Sequence, residues 1–212
     1  VGGRIESVAS RGNVILVKLD NDVNLVLAPE YGGRIFYHTK ESIVPAKFHL
    51  KLRFSDDTTL TVTLAGMGVI QALKDDELES SYVYKRDFLS TAPSPIDEKE
   101  FPLEQFSKNL TCHNVNIKSA LVGKDAVLVG LSNSAFQDVI YRAKIHPKRK
   151  ASDLTESHSC ALYNAVRLVV RERIQSGGKK HFIDLYGKQG SYTPAMGPNM
   201  KEQACPTCGT RV

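Results

Sequence analysis

The hydrophobic period of this chain changes once, and the change restricts the fold more than any other feature. Before position 90 the period is two residues. "NVILVKL" (13–19) and "VNLVLA" (23–28) are short β-rich runs joined by the turn Asp20-Asn21-Asp22. "KFHLKLRF" (47–54) alternates apolar and polar residues, and Asp56-Asp57 turns it into "TTLTVTL" (58–64), a hairpin pattern. "GRIFYH" (33–38) adds another strand. After position 102 the apolar residues recur at helical spacing. Strands followed by helices predict an α+β chain, with a sandwich or barrel first and a helical domain second.

The break is "STAPSPIDEKEFP" (90–102), whose three prolines and run of acids read as a linker. Beyond it, helices are expected at 103–110, 116–122 and 134–145, the last with Phe136, Val139, Ile140 and Ala143 on one face. The clearest helical pattern covers 153–176. Asp153 and Glu156 are spaced as a capping pair, Leu162, Val166, Val169 and Ile174 form a stripe to be buried, and Gly177-Gly178 ends it. The expected domains are 1–89, a linker at 90–102, 103–181, and a tail over 182–212.

Charge follows the same division. Residues 1–113 carry 13 Lys and Arg against 16 Asp and Glu, a balance of −3, while 114–212 carry 15 against 7, or +8. A basic second half suits a polyanion, with a merely soluble basic surface as the alternative. No apolar run approaches bilayer length, and no secretory pattern opens the chain. Four cysteines, two of them in Cys205-Pro-Thr-Cys208, do not make a disulfide framework. A reducing, cytoplasmic setting without a membrane partner is therefore expected. Cys112 and Cys160 read as buried thiols, and the remaining histidines show no metal spacing.

The segment "GLSNSAFQDVIYRAKIHPKRK" (130–150) concentrates the candidate chemistry. Gly130 allows close backbone approach, and Ser132 and Asn133 are short polar residues where a helix begins. The first amides of a helix lack internal partners and sit at the positive end of its dipole, so the turn can cradle a phosphate. Simple helix capping by Ser132 or Asn133 is the competing reading. Lys148, Arg149 and Lys150 either attract a nucleic-acid backbone or line a solvated loop.

The stretch "NIKSALVGKDAVLVGLSNSAFQDVIYRAKIHPKRKAS" resembles the helix–two-turns–helix module of the formamidopyrimidine-DNA glycosylase/endonuclease VIII family. The matching positions are Lys118, Leu121, Gly130-Leu131-Ser132-Asn133, Asp138 and Lys144-Ile145-His146-Pro147. The likeness continues through "DLYGKQG" to "ACPTCGTRV", which is similar to the first half of the family's zinc finger. It is weaker over 1–90, where it implies a partial β-sandwich, the second half of the family's own, and it implies an incomplete zinc ribbon at the end of the chain. It implies a base-excision DNA glycosylase and abasic-site lyase, expected to be a monomer, that binds duplex DNA carrying a damaged base or abasic site. It also implies that Lys118 and Asn133 grip phosphates beside the lesion. Structural zinc would be held by Cys205 and Cys208 with two further ligands from beyond Val212, since structural zinc takes four. Tyr31, in "EYGGR", falls where a void-filling side chain often lies; a wedge between bases and a core or hairpin tyrosine both fit.

Other positions depart from the pattern. The family's nucleophile is an N-terminal Pro followed by Glu; attack at the sugar C1′ gives a Schiff base, and β-elimination cuts the strand. This chain opens Val1-Gly2-Gly3-Arg4, so the nucleophile is expected upstream, in a longer chain or in one shortened by nature. Asn13 stands where many members have a hairpin Lys, and "LAGMGV" (64–69) replaces an Arg-bearing loop. Two rival expectations follow: a non-catalytic binder of damaged or abasic DNA, and a structured-RNA or ribosome-associated module.

Overall fold

The computed structural model describes residues 2–211. The chain forms two compact units. One contains the residues up to Thr91 together with Gly177–Ser191; the other contains Ala92–Ser176 together with the residues from Tyr192 onward.

In the first unit the strands are β1 (Ile5–Arg11), β2 (Val14–Leu19), β3 (Val23–Ala28), β4 (Arg34–His38), β5 (Leu50–Arg53), β6 (Thr59–Thr63) and β7 (Val69–Lys74). One sheet has the order β1-β2-β3-β7 and the other β4-β6-β5. All pairings are antiparallel. Side chains two apart share a face. Ile15, Val17, Leu25 and Leu27 therefore point together onto Ile35, Leu50, Leu60 and Val62, and the sheets stack as a sandwich. The intervening residues Val14, Leu16, Val26 and Ala28 face the other way. They pack under Leu78, Val83 and Phe88, which come from a 3-10 turn at Asp75–Ser80, from helix α1 (Tyr82–Asp87) and from the residue that caps its end. A strand covered on both faces needs a continuous apolar run, and β3 is buried from Asn24 to Ala28. Buried Asn24 is satisfied by donating to Asp75 Oδ1 at 2.7 Å.

The β1–β2 turn is held from beneath. Asn13 N donates to Asp87 Oδ2 at 2.9 Å, and Arg86 holds the same carboxylate through Nε and Nη2. Gly12 has φ +60°, and a Cβ there would lie 2.5 Å from Asp87 Oδ2, so only glycine fits.

The second unit contains α2 (Leu103–Thr111), α3 (Ile117–Val122), α4 (Asn133–Ala143) and α5 (Glu156–Gln175). Its core joins Phe106 and Leu110 of α2, Ile117 and Leu121 of α3, Phe136 and Val139 of α4, and Leu162, Val166 and Val169 of α5. Phe101, inside the proline-rich stretch, is 1% exposed. It stacks on Tyr163 at 5.1 Å and accepts the Tyr163 hydroxyl at its carbonyl.

The structure corrects three expectations here. The cap of α5 is Thr155, whose Oγ1 accepts from His158 N at 3.3 Å, whereas Asp153 belongs to a separate 3-10 turn at Ala151–Asp153. Ile174 is 57% exposed, because the inward positions run 162, 166, 169 and 173, and the last turn presents Arg173 instead. Cys112 is exposed at the end of α2, and Cys160 is half-buried, so neither is a core thiol.

Candidate nucleic-acid interface

The turn before α4 is fixed at both ends by burial. Val127, Leu128, Val129 and Leu131 are all buried, and Val129 N donates to Pro93 O at 3.0 Å. Gly130 between them is exposed with φ +80°, a conformation that a side chain would strain. Ser132 is extended and its Oγ accepts from Ala135 N at 3.2 Å. Its carbonyl takes the amides of Ala135 and Phe136. Ser132 is thus the cap and Asn133 the first helical residue. Capping leaves the Asn133 and Ser134 amides without intrahelical partners, at the positive end of an 11-residue helix. The two readings of this turn are therefore compatible.

Backbone bonds stitch the basic loop to the start of α3. Ile117 N donates to Arg149 O at 2.9 Å, Ala151 N donates to Val115 O at 2.8 Å, and Asn116 bridges to Lys150. Lys118, next to Ile117, is thereby brought to the same strip of backbone as Lys148, Arg149 and Lys150. All four are exposed. Among the described residues no carboxylate forms an ion pair with the three lysines, and Arg149 Nη1 donates to His158 Nε2 at 2.9 Å. The cluster is a local excess of positive charge. Tyr31 lies in the first unit, in the turn between β3 and β4. It is 70% exposed, which removes the core reading, and its ring meets His181 edge-on at 5.0 Å.

The tail carries a second local structure. Cys205 N donates to Thr210 O and Gly209 N to Cys205 O, both at 2.8 Å, and Ala204 bridges to Arg211. This knuckle presents two free thiols. The Thr210 hydroxyl and amide, and then Cys205, hold the Cys208 thiol below its ordinary pKa. Tyr141 and Thr207 hydroxyls meet at 2.6 Å and tie the knuckle to α4. Two thiolates suit zinc as half of a tetrahedral set. Among the described residues no group of three or more potential ligands is assembled.

Two features escaped the sequence reading. Asp138, on α4, is completely buried. It accepts the Tyr192 hydroxyl, Ala195 N at 3.1 Å and Arg142 Nε at 3.3 Å. Burial, reinforced by this carboxylate, pushes the Tyr192 hydroxyl up to about 12. Arg173 lies over the Tyr192 ring at 5.1 Å and donates to Ser134 Oγ at 3.3 Å. A charged residue at the fourth inward position of an apolar stripe was the available signal.

An antiparallel sandwich followed by helices that present such a capped turn can be set beside known proteins. Residues 91–183 match the model of the formamidopyrimidine-DNA glycosylase H2TH domain. A Bacillus cereus formamidopyrimidine-DNA glycosylase is 28% identical over 213 residues, covering 99% of this chain and 75% of the relative. A Streptococcus pneumoniae formamidopyrimidine-DNA glycosylase is 28% identical over 210 residues, covering 97% and 74%. Among solved structures, the Lactococcus lactis enzyme with DNA containing an abasic site superposes with TM-score 0.81 at 21% identity, covering 100% of this chain and 76% of that one. The same enzyme with DNA containing FAPY-dG gives 0.79 at 21%, with the same coverage. No described helix is long and apolar enough to cross a membrane.

Proposed function

We propose that this chain binds duplex DNA carrying a damaged base or an abasic site and serves base excision as a DNA glycosylase and abasic-site lyase. The observation that carries the reading is the α4 turn, where amides at Asn133 and Ser134 without intrahelical partners accompany a strip of cations that no described carboxylate pairs. Phosphates need both donors and positive charge, and such contacts set position rather than sequence. Gly130 gives the backbone room, Ser132 orders the turn, and Asn133 adds a side-chain donor. Lys118, Lys148 and Arg149 neutralise neighbouring phosphates. Exposed Tyr31 suits a wedge beside the lesion. Cys205 and Cys208 are suited to give zinc two thiolates, which would hold the tail as a rigid knuckle.

Two tests apply. Asn133→Ala should weaken binding to an abasic-site duplex by about tenfold, with the melting temperature nearly unchanged because Ser132 still caps α4. Unchanged affinity would remove this turn from the interface. Borohydride trapping on the same duplex reads the lyase step, since reduction fixes a Schiff base covalently. A second reading, binding without cleavage, is favoured by Asn13 at the β1–β2 turn and by exposed Met67 in place of an arginine loop. Tight binding without a trapped adduct, in the longest chain that carries this sequence, would select it. Preference for structured RNA over the abasic duplex would reject both.

A further inference from the structure

We propose that Arg173 is a phosphate-binding residue of the α4 site. The inference rests on the reading of that site given above. Its starting point is an electrostatic conflict. Arg173 Nη2 donates to Ser134 Oγ at 3.3 Å, which sets a guanidinium beside the first turn of α4. The N-terminus of a helix is the positive end of its dipole, and cations are disfavoured there. Among the described residues no carboxylate resolves the conflict. Arg142, Arg167, Arg171 and Arg211 each face a carboxylate. Among the described residues none forms an ion pair with Arg173, and its Nε is buried without a hydrogen-bond partner. A buried donor left unmade costs stability.

The side chain is nevertheless held in place. Its guanidinium rests on the Tyr192 ring at 5.1 Å, and the Tyr192 hydroxyl is fixed by buried Asp138. Cation–π contact orients the planar group without neutralising it. The result is a pre-oriented, uncompensated cation next to the unpartnered amides of Asn133 and Ser134. An anion at this turn would satisfy the amides, the dipole and the guanidinium together. A DNA phosphate is the anion the site already calls for, and a guanidinium matches two of its oxygens. Arg173 comes from α5, so the site draws on two helices.

The test is a salt titration of affinity for a duplex containing a tetrahydrofuran abasic analogue. Wild type, Arg173→Gln, Arg173→Lys and Asn133→Ala are compared, each with a melting curve. Each phosphate contact contributes about 0.9 to the slope of log affinity against log salt. Arg173→Gln should bind about tenfold more weakly at low salt and flatten the slope by about one, with no fall in melting temperature. Arg173→Lys keeps the charge and should keep the slope. An unchanged slope in Arg173→Gln overturns the proposal, whether the variant melts normally or melts lower as a packing residue would. If Asn133→Ala weakens binding while Arg173→Gln leaves the slope intact, Arg173 alone is removed from the site. If wild type shows no salt-dependent binding, the DNA reading of the turn falls with it.

Discussion

At the scale of single residues, Asp138 does the most to tie distant chain together. Its three donors come from the hydroxyl of Tyr192, the amide of Ala195 and the guanidinium of Arg142. Removing one partner from a buried charged network leaves the others desolvated and unsatisfied. Asp138→Ala should therefore destabilise the helical unit by about 3 kcal/mol in urea unfolding. The pH dependence follows from Tyr192. Its hydroxyl is raised from 10 to about 12 in the folded chain, so the folded state keeps a proton that the unfolded state releases. The corresponding stability is complete below pH 10 and is lost as pH rises from 10 to about 12. Tyr192→Phe should flatten that decline in urea midpoints measured across the range. Sequence alone showed Asp138 only as one acid in a familiar motif. Its partner Tyr192 is 54 residues away, and no local spacing predicts such a contact. The cap at Ser132 was legible because its chemistry is local.

Elements were legible where one neighbour decides the structure. β3 begins and ends where its apolar run does, and α3 starts after Asn116, whose side chain accepts from Ser119 N at 2.9 Å. β7 was missed because its apolar residues 69, 70, 72 and 73 imitate helical spacing. Pairing with β3 along its whole length makes it a strand. β1 is exposed over nearly all its length and offers no alternation to read; backbone bonding to β2 alone defines it. The start of α5 was misread because "SDLTES" holds two candidate caps. Burial of Leu154 between them, with an extended backbone, ends the 3-10 turn and gives the cap to Thr155. Thr155→Ala should cost about 1 kcal/mol of unfolding free energy. Asp153→Ala should cost much less, and the reverse order would restore the earlier assignment.

For the whole molecule, the uneven charge makes a quantitative claim. If Lys118, Lys148, Arg149 and Lys150 each neutralise one phosphate, they contribute about −3.6 to the slope of log affinity against log salt, or about a hundredfold between 50 and 200 mM, and Arg173 adds about −0.9. A slope near zero would leave the basic half without a nucleic-acid role. The imbalance of charge itself was legible from composition. The division into units was harder to read, because Gly177–Ser191 belongs with the strands although it follows the longest helix. Tyr37 N, on β4, donates to Leu185 O at 2.9 Å, across 148 positions of chain. During synthesis the ribosome makes β1 to β7 before α2 to α5, yet that unit receives its last segment only after α5 has been translated. A nascent chain halted at Gln175 would hold every described strand and still lack Gly177–Ser191 of that unit, so the unit begun before the helical one is finished after it.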